Sequence, residues 1–201
     1  MTIHSVISCP HYRECVVHQS LAKIVLTSEQ FQDFFTYIEC PQFDIAADAF
    51  STFKDLLTRH KAVASACIQT SYDTFFSRYN ALLQSDNFVT KMNSVKLLNE
   101  LLHDRNNLSV MRKYTSSDES LRVVMSLMVD TNKVIQSAAT EVFKIFLANP
   151  EKNEKVKNIL VSNRDLLIYY FENHNTKSEE ESSLNGSFNI ISQLKAVQIE
   201  E

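Results

Sequence analysis

Four potential metal ligands crowd one short stretch, "CPHYRECVVH", which brings Cys9, His11, Cys15 and His18 together. Thiolate and imidazole are the ligands zinc prefers. Structural zinc sites, however, open with cysteines two to four residues apart, and five residues separate Cys9 from Cys15. The spacing therefore predicts no metal site. Cys40 and Cys67 complete an irregular set of four, which reads as small buried hydrophobes in a reducing compartment. Catalytic constellations are no stronger. His60, His103 and His174 have no serine or cysteine at nucleophile-motif spacing, and no glycine elbow exists to present one. Glu179, Glu180 and Glu181 form a carboxylate run in a low-complexity segment, where nothing rigid would hold them or shift a pKa. The chain is read as a non-enzyme that needs no cofactor.

The elements that could position a site must be helical. One glycine (Gly186) and three prolines in 201 residues nearly exclude phosphate-cradling loops and tight hairpins, which rely on glycine. A net charge of −4, from 20 basic and 24 acidic residues well interspersed, offers no basic track for nucleic acid. The first twenty residues lack a basic n-region followed by an apolar core. No apolar run reaches the roughly 18 residues of a membrane-spanning helix. A soluble, cytoplasmic protein is expected.

The stretch "FDIAADAFSTFKDLLTRH" carries apolar residues at steps of three and four, the stripe of a helix with one buried face. Displaced by about 45 residues it falls on "FVTKMNSVKLLNELLHDR", and displaced again on "KVIQSAATEVFKIFLAN". Ala49, Ser94 and Ala139 then align, as do Phe53, Leu98 and Phe143, and Leu56, Leu101 and Phe146. The preceding helices obey the same shift, aligning Phe31 with Phe76, Leu121 and Leu166, and Phe34 with Tyr79, Val124 and Tyr169. A period of about 45 built from two or three helices is the mark of an all-α, armadillo- or HEAT-like solenoid, wound as a right-handed superhelix. Short connectors, "QSDN" and "ANPEKN", punctuate it, with Pro150 lacking the donor that would continue a helix. The solenoid is expected over residues 1–173, an acidic flexible loop over 174–187, and a short helix and tail over 188–201. That last helix would seat Phe188, Ile191, Leu194 and Val197 on the final repeat.

Beside the core stripe, the helix from 88 to 104 projects Phe88, Met92, Lys96, Asn99 and His103. The equivalent helix one repeat earlier projects Phe43, Ala47, Ser51, Lys54 and Thr58. In one reading the two phenylalanines close the core at the helix starts and the lysines are simply solvated. In the other they line a partner-binding groove, where rings supply buried area and cations steer an acidic surface.

Several stretches, "RECVVHQSLAKIVLTSEQFQDFFTYIE", "FDIAADAFSTFKDLLTRHK", "NFVTKMNSVKLLNELLHDRNN" and "VFKIFLANPEK", resemble the family of calcium-binding protein 39, also called morula protein 25. The resemblance runs almost without gaps from Arg13 to about Lys152 and more loosely to Val197. It implies a non-catalytic helical-repeat scaffold that binds protein kinases or pseudokinases of the sterile-twenty, germinal-centre type and holds them active. Such activation requires that the scaffold bind the closed kinase better than the open one. Despite the family's name, no Asp-rich twelve-residue calcium loop is present, and no calcium site is expected.

The resemblance maps a kinase-facing groove onto Phe43, Phe88, Met92 and Lys96. Met92 stands where a basic residue is expected, which removes a charge-assisted contact worth about 1.5–3 kcal/mol. It maps a pocket for a C-terminal Trp-Glu-Phe tail onto Arg105, Leu108 and Met125, with leucine replacing an aromatic at 108. Met125 falls about 40° around its helix from Leu121, at the margin of the core face. Family members carry further repeats before the position of Arg13, so the chain is expected to begin inside a repeat, as a shortened paralogue, a partial product or a misplaced start. The apolar edge so uncovered, around Val6, Ile7 and Val16, would favour self-association. The other function class is a generic peptide-binding adaptor of the nuclear-transport type, without kinase activation. Such adaptors place tryptophan ladders in the groove, and tryptophan is absent here.

Overall fold

The computed structural model describes residues 16–174 and 190–197, and every element among them is helical, with no strand. In chain order these are α1 (Gln19–Thr27), a 3-10 turn (Glu29–Gln32), α2 (Asp33–Ile38), α3 (Phe43–Thr58), α4 (Lys61–Thr70), α5 (Tyr72–Leu83) and α6 (Phe88–His103). A second 3-10 turn (Arg105–Asn107) leads to α7 (Leu108–Thr115), α8 (Asp118–Met128), α9 (Lys133–Ala148), α10 (Glu154–Ser162) and α11 (Arg164–His174). A further helix, α12, spans 190–196.

Like helices stack in rows. The helices α3, α6 and α9 pack in succession, as do α2, α5 and α8, and α1, α4 and α7. Each repeat therefore contains three helices and contacts its neighbours, the architecture expected of a helical-repeat solenoid. Every residue aligned at a 45-residue shift on the α3, α6 and α9 row is buried, from Ala49, Ser94 and Ala139 to Leu57, Leu102 and Leu147.

The repeats are tied at the helix starts by one recurring device. Asn87 caps α6 by accepting from Val89 N at 3.0 Å, and Asn132 caps α9 by accepting from Val134 N at 2.8 Å. Ser85 Oγ and Asp130 Oδ1 accept from the backbone N–H groups of Asn87 and Asn132 respectively. Each of these residues also reaches the preceding repeat: Ser85 Oγ donates to Glu39 Oε2 at 2.9 Å, and Lys91 Nζ donates to Asp130 Oδ2 at 3.2 Å. Caps of this kind contribute about 1 kcal/mol each.

A second clamp joins Lys61 Nζ to Asp104 Oδ2 at 2.6 Å. The hydrogen bond from Lys61, followed by those from Asn106, lowers the Asp104 carboxyl from 3.8 to about 2. Asp130 is also lowered, first by the Asn132 backbone N–H and then by Lys91. A depressed folded-state pKa stabilises the fold above the unfolded value, and that stability is lost as pH falls through the folded value. Wild-type protein is expected to lose urea resistance between pH 4 and 2, and Asp104→Asn to flatten that dependence. Parallel slopes for the two proteins in a urea–pH series would count against the clamp.

Two expectations are corrected. Leu166 and Tyr169 were aligned with core residues but are 70 % and 67 % exposed, whereas Leu167 and Phe171 are buried. Residues 149–153 separate α9 from α10, one more than the 104–107 that separate α6 from α7, so the last unit turns out of the 45-residue register. Val16 is buried rather than uncovered, and the exposed apolar residues near it are Val17, Leu21 and Ile24. Val6 and Ile7, the side chains of Cys9, His11 and Cys15, the carboxylates Glu179, Glu180 and Glu181, and Phe188 lie outside the described residues. Helix α12 buries Ile190 and Leu194 and partly covers Ile191 and Val197, while Arg164 donates to the Val197 carbonyl.

Candidate protein-interaction site

The α3, α6 and α9 row presents apolar side chains to solvent at the start of each helix. Phe43 is 69 % exposed and Phe88 45 %, and Val89 and Val134, one repeat apart, are exposed beside them. These residues lie on the outward side of the first turn, whose inward side is already buried at Thr90 and Ile135 in the second and third helices of the row. Exposed rings at a regular spacing are the anchors that protein interfaces use.

Between the end of α2, α3 and the start of α6 lies a cleft of about 470 Å³. Phe43, Ala47, Phe50, Lys54, Val89 and Cys40 are among its lining residues. Of the four sequence-derived groove residues only Phe43 lines it. Phe88 stands exposed on the neighbouring helix, and Lys96 is exposed on α6. Met92 is half-buried and packs against the core, so its thioether fills a gap where a charge would be costly. Lys54 Nζ pairs with Glu100 Oε2 at 3.0 Å, joining α3 to α6, with both side chains about half exposed. Exposed pairs contribute little stability, about 0–1 kcal/mol, and this one chiefly orients its lysine.

A second cleft, about 400 Å³, opens between α8 and α11. Met125 lines it with Met128, Val129, Leu166, Tyr169 and Tyr170. Tyr170 donates to the Met128 carbonyl at 3.0 Å and so pins α11 to the end of α8. The lining is aliphatic, thioether and aromatic, which suits a bulky apolar side chain. Arg105 and Leu108 are not brought here. Both are exposed at the corner between α6 and α7, where the Arg105–Asn107 turn packs on α4, α6 and α7. Sequence periodicity missed Val129, Leu166 and Tyr169, since the 45-residue shift had placed the latter two in the core. The extra connector residue was the one available signal.

The family model described as Mo25-like matches residues 7–198. The chain belongs to the Mo25-like family. Among Mo25-like relatives, human "Calcium-binding protein 39-like" is 48 % identical over 171 residues, 84 % of this chain and 51 % of the relative. "MO25-like protein 2" of Caenorhabditis elegans is 46 % identical over 188 residues, covering 93 % of this chain and 56 % of its own length. The "Mo25-like protein" of Schizosaccharomyces pombe is 45 % identical over 173 residues, 86 % of this chain and 53 % of its own. This Mo25-like chain thus spans about half the length of the relatives it matches. Among its described residues no group of three His, Cys, Asp or Glu side chains could hold a metal ion. No helix among them is long and apolar enough to cross a membrane.

Proposed function

We propose that the chain is a non-catalytic cytoplasmic scaffold for a protein kinase or pseudokinase of the sterile-twenty, germinal-centre type. The kinase docks on the α3, α6 and α9 row. A C-terminal tail of Trp-Glu-Phe type enters the α8–α11 cleft at Met125. The observation that carries the reading is the regular line of exposed Phe43, Phe88, Val89 and Val134, with Lys54 and Lys96 beside it. Anchors supply desolvated area, and the lysines favour an acidic partner surface. Arg105, whose planar fork suits a carboxylate, and Leu108 contact the same partner from the α6–α7 corner. Membership of the Mo25-like family supports the scaffold role.

The test is affinity capture with the chain as bait, followed by calorimetry with the kinase domain recovered. Phe43→Ala and Phe88→Ala are each expected to weaken kinase binding by about 1–3 kcal/mol, with little change in melting temperature because both rings are exposed. Undiminished affinity in the double variant would remove the row from the interface.

A further inference from the structure

The first helix carries an apolar face that its counterparts in later repeats lack. Val17, Leu21 and Ile24 are exposed at steps of four and three, so they share one side of α1 and its leading turn. Burial fixes the equivalent positions along the chain: Ala22 corresponds to Ala64, Val110 and Val156, and Leu26 to Ile68, Tyr114 and Leu160, all buried. In that register Ile24 becomes Ala66, Arg112 and Asn158, and Val17 becomes Arg59, Arg105 and Glu151. Leu21 becomes Val63, Ser109 and Lys155, and apart from Ala66 and the half-buried Val63 all these positions are exposed and polar or charged, so no later repeat is apolar at all three. The apolar face is therefore particular to α1 and not a property of the repeat.

We propose that this face is a self-association surface on which a second copy of the chain lays its own α1 antiparallel. The stripe is self-complementary. Centred between Ser20 and Leu21, an antiparallel crossing sets Val17 against Ile24 of the second copy, and Leu21 against the small Ser20. The ends match in charge as well. His60 Nε2 lies 3.0 Å from both the Val16 and Val17 carbonyl oxygens, which puts Arg59 and His60 at the leading end of α1. Glu29 follows the trailing end, so each copy's Glu29 meets the other's basic end. Arg59 makes a loose 4.0 Å pair with Asp55, which it can exchange. Antiparallel helix dipoles add a favourable contribution. An isologous contact of this kind closes at two copies. Three side chains cover well under the ~800 Å² per partner of a standard interface, so the dimer is weak and reversible.

Sedimentation equilibrium of the full chain, from about 1 µM to about 1 mM, tests this. The weight-average mass is expected to rise from one chain to two. Leu21→Glu should weaken association by at least about tenfold. Glu29→Arg should also weaken it, and adding Arg59→Glu should restore it. If Leu21→Glu lowers the melting temperature, Ile24→Glu, at the most exposed position of the stripe, carries the same test. One-chain mass at every concentration would overturn the proposal and assign the face to another occupant. A dimer indifferent to both substitutions, an unrestored double charge swap, or open-ended assembly would overturn it too.

Discussion

Phe53→Ala is expected to lower the melting temperature by about 10 °C. Phe53 is fully buried at the centre of a ring cluster. It stacks on Phe31 at 5.6 Å and on Phe75 at 6.3 Å, and meets Phe35 edge-on at 5.2 Å. Tyr79 lies 6.3 Å away and donates its hydroxyl to the Ser94 carbonyl, which carries the cluster from one repeat into the next. Truncating a buried phenylalanine costs about 3–5 kcal/mol, and rigid aromatic neighbours cannot collapse into the space. At roughly 2–4 °C per kcal/mol for a chain of this size, the shift follows. Phe43→Ala is the control, since that ring is exposed and its loss should leave melting unchanged. A fall of only a few degrees in Phe53→Ala would mean that the cluster closes over the gap.

The second large effect concerns the α8–α11 cleft. Leu166→Glu should weaken a peptide ending in Trp-Glu-Phe by at least about 30-fold, or about 2 kcal/mol, because it sets a carboxylate in an apolar wall beside the acidic residue of the tail. Leu166 is exposed, so the fold should melt as before. Met125→Ala should cost about 1–3 kcal/mol by removing an anchor that also packs on the core. Arg105→Ala, at the α6–α7 corner and outside the cleft, is the control and should leave the peptide affinity unchanged. Calorimetry on the four proteins decides the matter. Failure of the wild type to bind, or equal affinity in all, would remove the tail from this cleft.

The solenoid was legible in the sequence because its core obeys one shift. Positions such as Phe53, Leu98 and Phe143 have the same kind of neighbours in every repeat and must all be apolar. The rule failed where a connector changed length. One added residue before α10 rotates Leu166 and Tyr169 outward and Leu167 and Phe171 inward. A face wrongly assigned to the core thus became a wall of the cleft. Phe43 and Phe88 were legible as flanking residues, because helical geometry alone decides what stands beside a stripe. Met92 was not, since a flexible thioether at the margin fits either side. Arg105 and Leu108 sit on and after a 3-10 turn, where a 100° rotation no longer tells direction.

The bonds that tie repeat to repeat also bear on how the chain folds. Glu39 to Ser85 and Arg78 to Gln32 span 46 residues, Tyr170 to Met128 spans 42, and Lys91 to Asp130 spans 39. Every such closure ties off a loop of much the same size, so its entropy cost is nearly constant along the molecule and does not grow with the number of repeats. Folding can start at any repeat and spread outward by single, similar steps. The aromatic-rich unit around Phe53 gains most from its first contacts and is the natural place for that start. A solenoid assembled this way keeps the low contact order of a small domain however many units are added to it.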